Sequence, residues 1–297
     1  MFKMPTINID PATCTNCGTC ADICASGIFI KDTEKKVRPD PANFALCISC
    51  GQCMMSCPEK AVHVEGLDYE RDFTDWPGPA AAYETFRNTM IRRRSVRCFQ
   101  QKPIPREVLE EIGDFLRHAP FGVEALNAAV TVINDRKKIE EALPVMLKRY
   151  QGMRKFFGTW LARILFKPLV NPSDYNTIFT HLLPLLDQDR FFNTEGEDWI
   201  CRGAPAVMLF HGRKDAGEYV ADSWIMINYA MISAQYHGLG STIIGLNPPV
   251  VNQSGELRKI FGIPEGHKVV CALILGYPKH RYLRSYKAVA RNITYLG

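Results

Sequence analysis

The sequence predicts a mixed helix-and-strand chain in two unequal parts, a small metal-stapled module followed by a larger globular domain. Three observations carry this. Eight of the eleven cysteines fall within residues 14–57. Residues 67–88 then turn charged and turn-rich, with Trp76-Pro77-Gly78-Pro79 and Ala80-Ala81-Ala82; Pro and Gly punctuate there and neither periodicity is sustained. Beyond them, helical and strand-like apolar patterns both recur. A chain of 297 residues is long enough for two unequal domains. Its 46% apolar and 23% charged residues exclude general disorder.

The net charge of +5 is mild and unevenly placed: residues 1–66 hold six Lys/Arg against seven Asp/Glu, and the excess lies downstream. Its densest run, Arg92-Arg93-Arg94 with Arg97, suits a compact anion better than nucleic acid. The start, Met1-Phe2-Lys3-Met4-Pro5-Thr6, lacks the apolar stretch of a secretory signal, and no twin-arginine leader is visible. No run of about eighteen apolar residues predicts membrane insertion. A soluble, cytoplasmic chain is expected, where disulfides are disfavoured and metal ligation is the better use of clustered cysteines.

The first cysteine run is Cys14-x-x-Cys17-x-x-Cys20-x-x-x-Cys24, and the second is Cys47-x-x-Cys50-x-x-Cys53-x-x-x-Cys57-Pro58. Each has the spacing of a bacterial ferredoxin, in which the fourth cysteine of a run ligates the other run's cluster. One [4Fe–4S] cluster is therefore expected on Cys14, Cys17, Cys20 and Cys57, and a second on Cys47, Cys50, Cys53 and Cys24. Zinc would leave the third cysteine of each run unused. Ala25 stands where the pattern carries proline after the fourth cysteine. Ile7-Asn8-Ile9 and Ala61-Val62-His63-Val64 read as short paired strands, completing a (βαβ)₂ ferredoxin-like domain over 1–66. So small a core needs its metal for stability.

Residues 67–88 are read as a linker and 89–297 as the second domain. Pro103-Ile104-Pro105 precedes Val108, Leu109, Ile112, Phe115 and Leu116 at helical spacing, with proline in the first turn. Ala128–Ile133 reads as a buried strand. The segment Arg93-Arg94-Ser95-Val96-Arg97-Cys98-Phe99, that proline helix start and Ala119-Pro120 resemble the opening of the nitroreductase family. So do Arg202-Gly203-Ala204-Pro205, Gly238 to Gly245 after a long helix, and Leu275-Gly276-Tyr277-Pro278. With the cysteine module, the chain is similar to ferredoxin–nitroreductase fusions. The resemblance implies an α+β fold with FMN at a homodimer interface, to which the apolar helix around Ser223–Tyr236 is suited.

FMN needs donors for a dianionic phosphate, and guanidinium groups supply forked, permanently charged ones. The resemblance implies Arg93, Arg94, Ser95 and Arg97 as FMN contacts, Arg284 as a second phosphate contact, and the amides of Gly245 and Leu246 at the flavin N5 edge. It departs from the family at Glu124 and Leu126-Asn127, where relatives carry Asn and Gln-Pro. Glu124 is thus either an acid near the ring or a solvent-facing loop carboxylate. No dinucleotide or P-loop glycine motif occurs.

Residues 144–200 exceed a usual connection, and their aromatic-rich helical patterns leave a flavin lid, dimer packing or a membrane-surface contact open. Tyr150, Tyr175, Phe179 and His181 are candidate pocket residues, and no pattern singles out a catalytic one. Cys98, Cys201 and Cys271 read as buried small hydrophobes, and the seven histidines show no metal spacing. The expected function is an oxidoreductase carrying electrons through two clusters to FMN and on to a nitroaromatic, quinone or enone, with ferredoxin or another redox partner as donor. The alternatives are an NAD(P)H-dependent reductase relaying electrons out through the clusters, and a non-catalytic electron-transfer protein.

Overall fold

The computed structural model describes residues 5–33, 36–47, 49–75, 82–120, 128–192 and 198–286, with 294 and 296. Two compact units form: Met1–Cys98 together with Lys279–Gly297, and Phe99–Pro278.

In the first unit β1 (Ile7–Ile9) pairs antiparallel with β4 (Val62–Val64), and β2 (Phe29–Lys31) with β3 (Val37–Pro39). Between them stand two five-residue helices, α1 (Thr19–Ile23) and α2 (Gln52–Ser56). The sequence repeat is also a backbone repeat. Left-handed residues recur at the same offset, Asn16 with Ser49, Gly18 with Gly51 and Gly27 with Lys60. A Cβ on Gly51 would lie 3.1 Å from Phe73 and 3.3 Å from Tyr286, so this turn needs both glycine's backbone freedom and its missing side chain. The apolar core is small, centred on Ile23, Ile28, Met54 and Met55.

The expected linker, 67–88, carries regular structure: α3 (Tyr69–Asp72), β5 (Phe73–Asp75) and the start of α4 (Ala82–Arg92). Strand β5 pairs antiparallel with β10 (Arg284–Tyr286). That ladder ties the chain's C-terminal stretch to the first unit. The units consequently divide at Cys98/Phe99, whereas the sequence placed the boundary within 67–88.

The second unit opens with α5 (Arg106–Phe115), for which Pro105 is the N-cap rather than part of the first turn. Its sheet is antiparallel, in the order β6-β7-β9-β8: β6 (Ala128–Ile133), β7 (Ala206–Arg213), β9 (His267–Gly276) and β8 (Gly240–Ile243). Strand β6 is an edge strand and mostly half-buried, so the expected full burial holds only at Ile133. Strand β7 is covered on both faces, and its sequence is accordingly a near-continuous apolar run. Met208 and Phe210 meet Leu273 and Leu275 on one face, under Ile227, Ala230, Met231 and Ala234 of α11 (Tyr219–Tyr236) and Leu109 and Ile112 of α5. Each such side chain contributes roughly 1.5–3 kcal/mol by leaving water.

Gly238 closes α11 in a left-handed turn, with the Leu239 amide donating to the Ala234 carbonyl at 2.9 Å and the Gly238 amide to Gln235 at 3.2 Å. The long connection is helical throughout most of its length: α6 (Arg136–Phe157), α7 (Trp160–Phe166), α8 (Pro172–Asn176), a π-helical turn at Thr177–Leu182, α9 (Leu183–Leu186) and α10 (Asp189–Phe192). Helix α6 runs through Pro144, a residue that reads as a breaker in sequence. Phe157, Ala162, Phe179 and Leu183 form a separate small core there, while Trp160, Ile164 and Leu169 face outward. Helices α12 (Asn247–Asn252) and α13 (Gly255–Ile260) complete the unit. Among the described residues no helix is long and apolar enough to cross a membrane.

Candidate redox site

Two cavities in the first unit are lined by four cysteines each. Cys14, Cys17, Cys20 and Cys57 surround one, and Cys24, Cys47, Cys50 and Cys53 the other. Membership is crossed: helix α1 ends at Cys24 and α2 at Cys57, and each delivers its last cysteine to the opposite set. Backbone donors repeat with it, the Ile28 amide to Cys24 Sγ at 3.3 Å and the Ala61 amide to Cys57 Sγ at 3.2 Å. Such donors stabilise thiolate over thiol.

Burial pushes the Cys20 thiol up to about 12, and the charges of Cys17, Cys57 and Cys14 push the same way. Cys53, Cys24 and Cys47 are raised too, burial first. At Cys17 burial also raises, but hydrogen bonds from Thr19 and Thr15 outweigh it and the thiol is lowered. Crowded, desolvated thiols hold their protons until cations replace them. No group of three or more His, Cys, Asp or Glu among the described residues converges as on one metal ion. A single zinc needs four donors about one point, whereas a four-iron cube lets its thiolates stand apart, and the donor set fits the cube.

The arginine segment lies in the same unit. Burial, then the Arg93 charge, brings Arg94 down to about 10, and Arg93 is lowered by burial and Arg97. Arg94 Nε and Arg97 Nη1 are buried without hydrogen-bond partners among the described residues. Desolvated like charges with idle donors are costly unless an anion joins them, so the segment fits a phosphate. The Ser95 carbonyl accepts from Gln52 Nε2 at 2.7 Å. Arg284 is engaged otherwise than the resemblance implied: it donates to the carbonyls of Cys57 and, at 3.1 Å, Pro58, with its guanidinium 5.4 Å from the Tyr69 ring centre. Cys98, expected as a buried hydrophobe, is only half-buried and points its thiol at the Asp22 carbonyl, whereas Cys201 and Cys271 are buried.

In the second unit, Gly245 and Leu246 join β8 to α12. A Cβ on Gly245 would meet nothing within 4 Å, so no packing inside the chain demands glycine there. The Leu246 carbonyl accepts from the hydroxyl of Tyr150, which is fully buried. Tyr175 and Phe179 pack ring to ring at 4.5 Å within the small helical core, and His181 is exposed. The 121–127 segment, with Glu124, Leu126 and Asn127, lies outside the described residues.

Sequence reasoning missed Asp198. Its carboxylate accepts the amides of Ile200, Cys201 and Gly203 at 3.1, 2.7 and 3.1 Å and Arg136 Nη1 at 3.2 Å, holding Arg202 and Gly203 in left-handed backbone. It missed Gln52 and Tyr282 as well: the one signal for Gln52 is a polar side chain inside a C-x-x-C turn, and Tyr282 carries none. Histidines without metal spacing in sequence include two that meet in space, His211 and His267, Nδ1 to Nδ1 at 2.9 Å.

A model of the Nitroreductase family matches residues 90–277, and one of a 4Fe-4S dicluster domain matches 13–62. A curated protein of Thermus thermophilus named NADH dehydrogenase is 23% identical over 202 residues, 66% of this chain and 88% of that protein. Among solved structures, the chain is similar to a nitroreductase with bound FMN from Bacteroides fragilis, at 20% identity and TM-score 0.51, covering 70% of this chain and 97% of that one. An FMN-dependent nitroreductase from Clostridium difficile has 19% identity and TM-score 0.50 with the same coverage.

Proposed function

The chain belongs to the nitroreductase family of oxidoreductases, and on that premise we propose that its cysteine module passes electrons to an FMN site and on to a small organic acceptor such as a nitroaromatic, quinone or enone. The observation that carries this is the pair of four-cysteine cavities with crossed membership, in one compact unit with the arginine segment. Bound flavin supplies the chemistry by accepting electrons singly and releasing them in pairs.

The residues' part is to bind and orient. Cys14, Cys17, Cys20 and Cys57 would hold one [4Fe–4S] cluster, and Cys24, Cys47, Cys50 and Cys53 the second. Arg93, Arg94, Ser95 and Arg97 would hold the flavin phosphate, a role favoured by the idle donors of Arg94 and Arg97. The Gly245 and Leu246 amides are proposed for the ring's N5 edge, in keeping with the open space beside Gly245. Arg284, with two nitrogens on the Cys57 and Pro58 carbonyls, is better cast as a fixed positive charge beside the first cavity. Two copies are proposed to assemble through α11, which exposes Val220, Trp224 and Tyr236.

Anaerobic preparations, assayed for iron, sulfide and FMN and then offered reduced ferredoxin or NADH, test the reading. Bleaching of the flavin by reduced ferredoxin, followed by reoxidation on an acceptor panel, is expected. Zinc in place of iron would overturn it. The name of the Thermus thermophilus relative favours a second donor, NADH; bleaching by NADH alone selects that one.

A further inference from the structure

Gln52 sits between Cys50 and Cys53, on the turn that delivers both to the second cavity, and only 3% of it is exposed. Its amide is used at both ends. Nε2 donates to the Ser95 carbonyl at 2.7 Å, and Oε1 accepts from the Tyr282 hydroxyl at 2.6 Å. The carbonyl can only accept, so the amide's orientation is fixed. Tyr282, 7% exposed, also reaches the Ser95 carbonyl at 3.4 Å. Three segments far apart in sequence therefore meet at Ser95, which lies between Arg94 and Arg97 beside Val96, and each of those arginines has a buried donor without a partner among the described residues.

We infer that Gln52, steadied by Tyr282, is a positioning residue through which the second cysteine set organises the anion site of the arginine segment, so that phosphate is gripped only when that turn is held by metal. The inference rests on the proposal that this segment takes the flavin phosphate. Its physical basis is the cost of holding neighbouring cations still in a desolvated place. Backbone fixed at Ser95 aims the flanking guanidinium groups at one point; backbone released there lets them separate into water. Without metal the C-x-x-C turn is free, and Gln52 moves with it.

The test compares FMN with riboflavin, which lacks the phosphate, on anaerobically reconstituted full-length chain. Wild type should bind FMN more tightly than riboflavin. Gln52→Leu should weaken FMN on the order of ten-fold, the usual effect of one buried polar bond lost, while riboflavin affinity and iron content stay unchanged. Tyr282→Phe, which removes one hydroxyl away from the cysteines, should shift FMN in the same direction, and it decides the matter if Gln52→Leu loses iron. FMN preference surviving in both variants, with iron intact, overturns the inference. Arg94→Ala separates the two layers. If it leaves the FMN preference intact, the phosphate assignment falls and the inference with it. If it abolishes the preference while Gln52→Leu and Tyr282→Phe do not, the inference alone falls.

Discussion

Replacing Cys24 by alanine should empty the cavity of Cys47, Cys50 and Cys53, and leave that of its own run's first three cysteines filled. Iron should fall from about eight to about four per chain, and Mössbauer or EPR spectra should lose one cluster and keep the other. Loss of the cluster on Cys14, Cys17 and Cys20 instead would refute the crossed arrangement. A second residue-scale prediction concerns His211. Burial first, then His267 and Arg258, bring this imidazole down to about 4 from its ordinary 6.5. The unfolded chain therefore binds the extra proton between those values, and stability is lost as pH falls from 6.5 towards 4. The loss is at most about 3 kcal/mol. Chemical unfolding across that window should show the slope in wild type and a flatter profile in His211→Gln.

At the scale of elements, two glycines read alike in sequence and differ in space. A Cβ on Gly276 at the end of β9 would stand 2.7 Å from both Phe99 and Pro205. Gly276→Ala should cost about 1–3 kcal/mol by overpacking, read as a lowered melting temperature. Gly245→Ala meets open space and should leave melting within about 0.5 kcal/mol of wild type, while altering flavin affinity if the proposed N5 edge is right. The helical connection was legible as amphipathic helices but not as a body with its own core, because Phe157 and Phe179 are brought together by chain reversal. The strand at 128–133 was legible as a strand; its edge position was not, because burial depends on neighbours chosen by the sheet.

For the whole molecule, the division into units makes a prediction about metal loss. The first unit has little apolar core, so stripping iron should unfold it, including β5 and β10, which lie far apart in the sequence. Amide exchange on the apo chain should lose protection over residues 5–98 and 279–286 and keep it in β7 and β9. Protection retained in β1 and β4 without iron would contradict this. The proposed assembly of two copies through α11 should be abolished by Trp224→Glu, seen by sedimentation.

By itself the sequence determined which four cysteines group together in each cavity, the strands flanking them, the arginine run and the family, because each is written in short-range spacing or in motifs held in order. Only the tertiary structure decided that the arginine run folds with the cysteine module, that Arg284 turns to the Cys57 and Pro58 carbonyls, and that Gln52 meets Ser95 and Tyr282. The physical reason is that a buried polar group takes whatever partner the fold brings within about 3 Å. Partners more than two hundred residues away leave no periodicity in the chain to read.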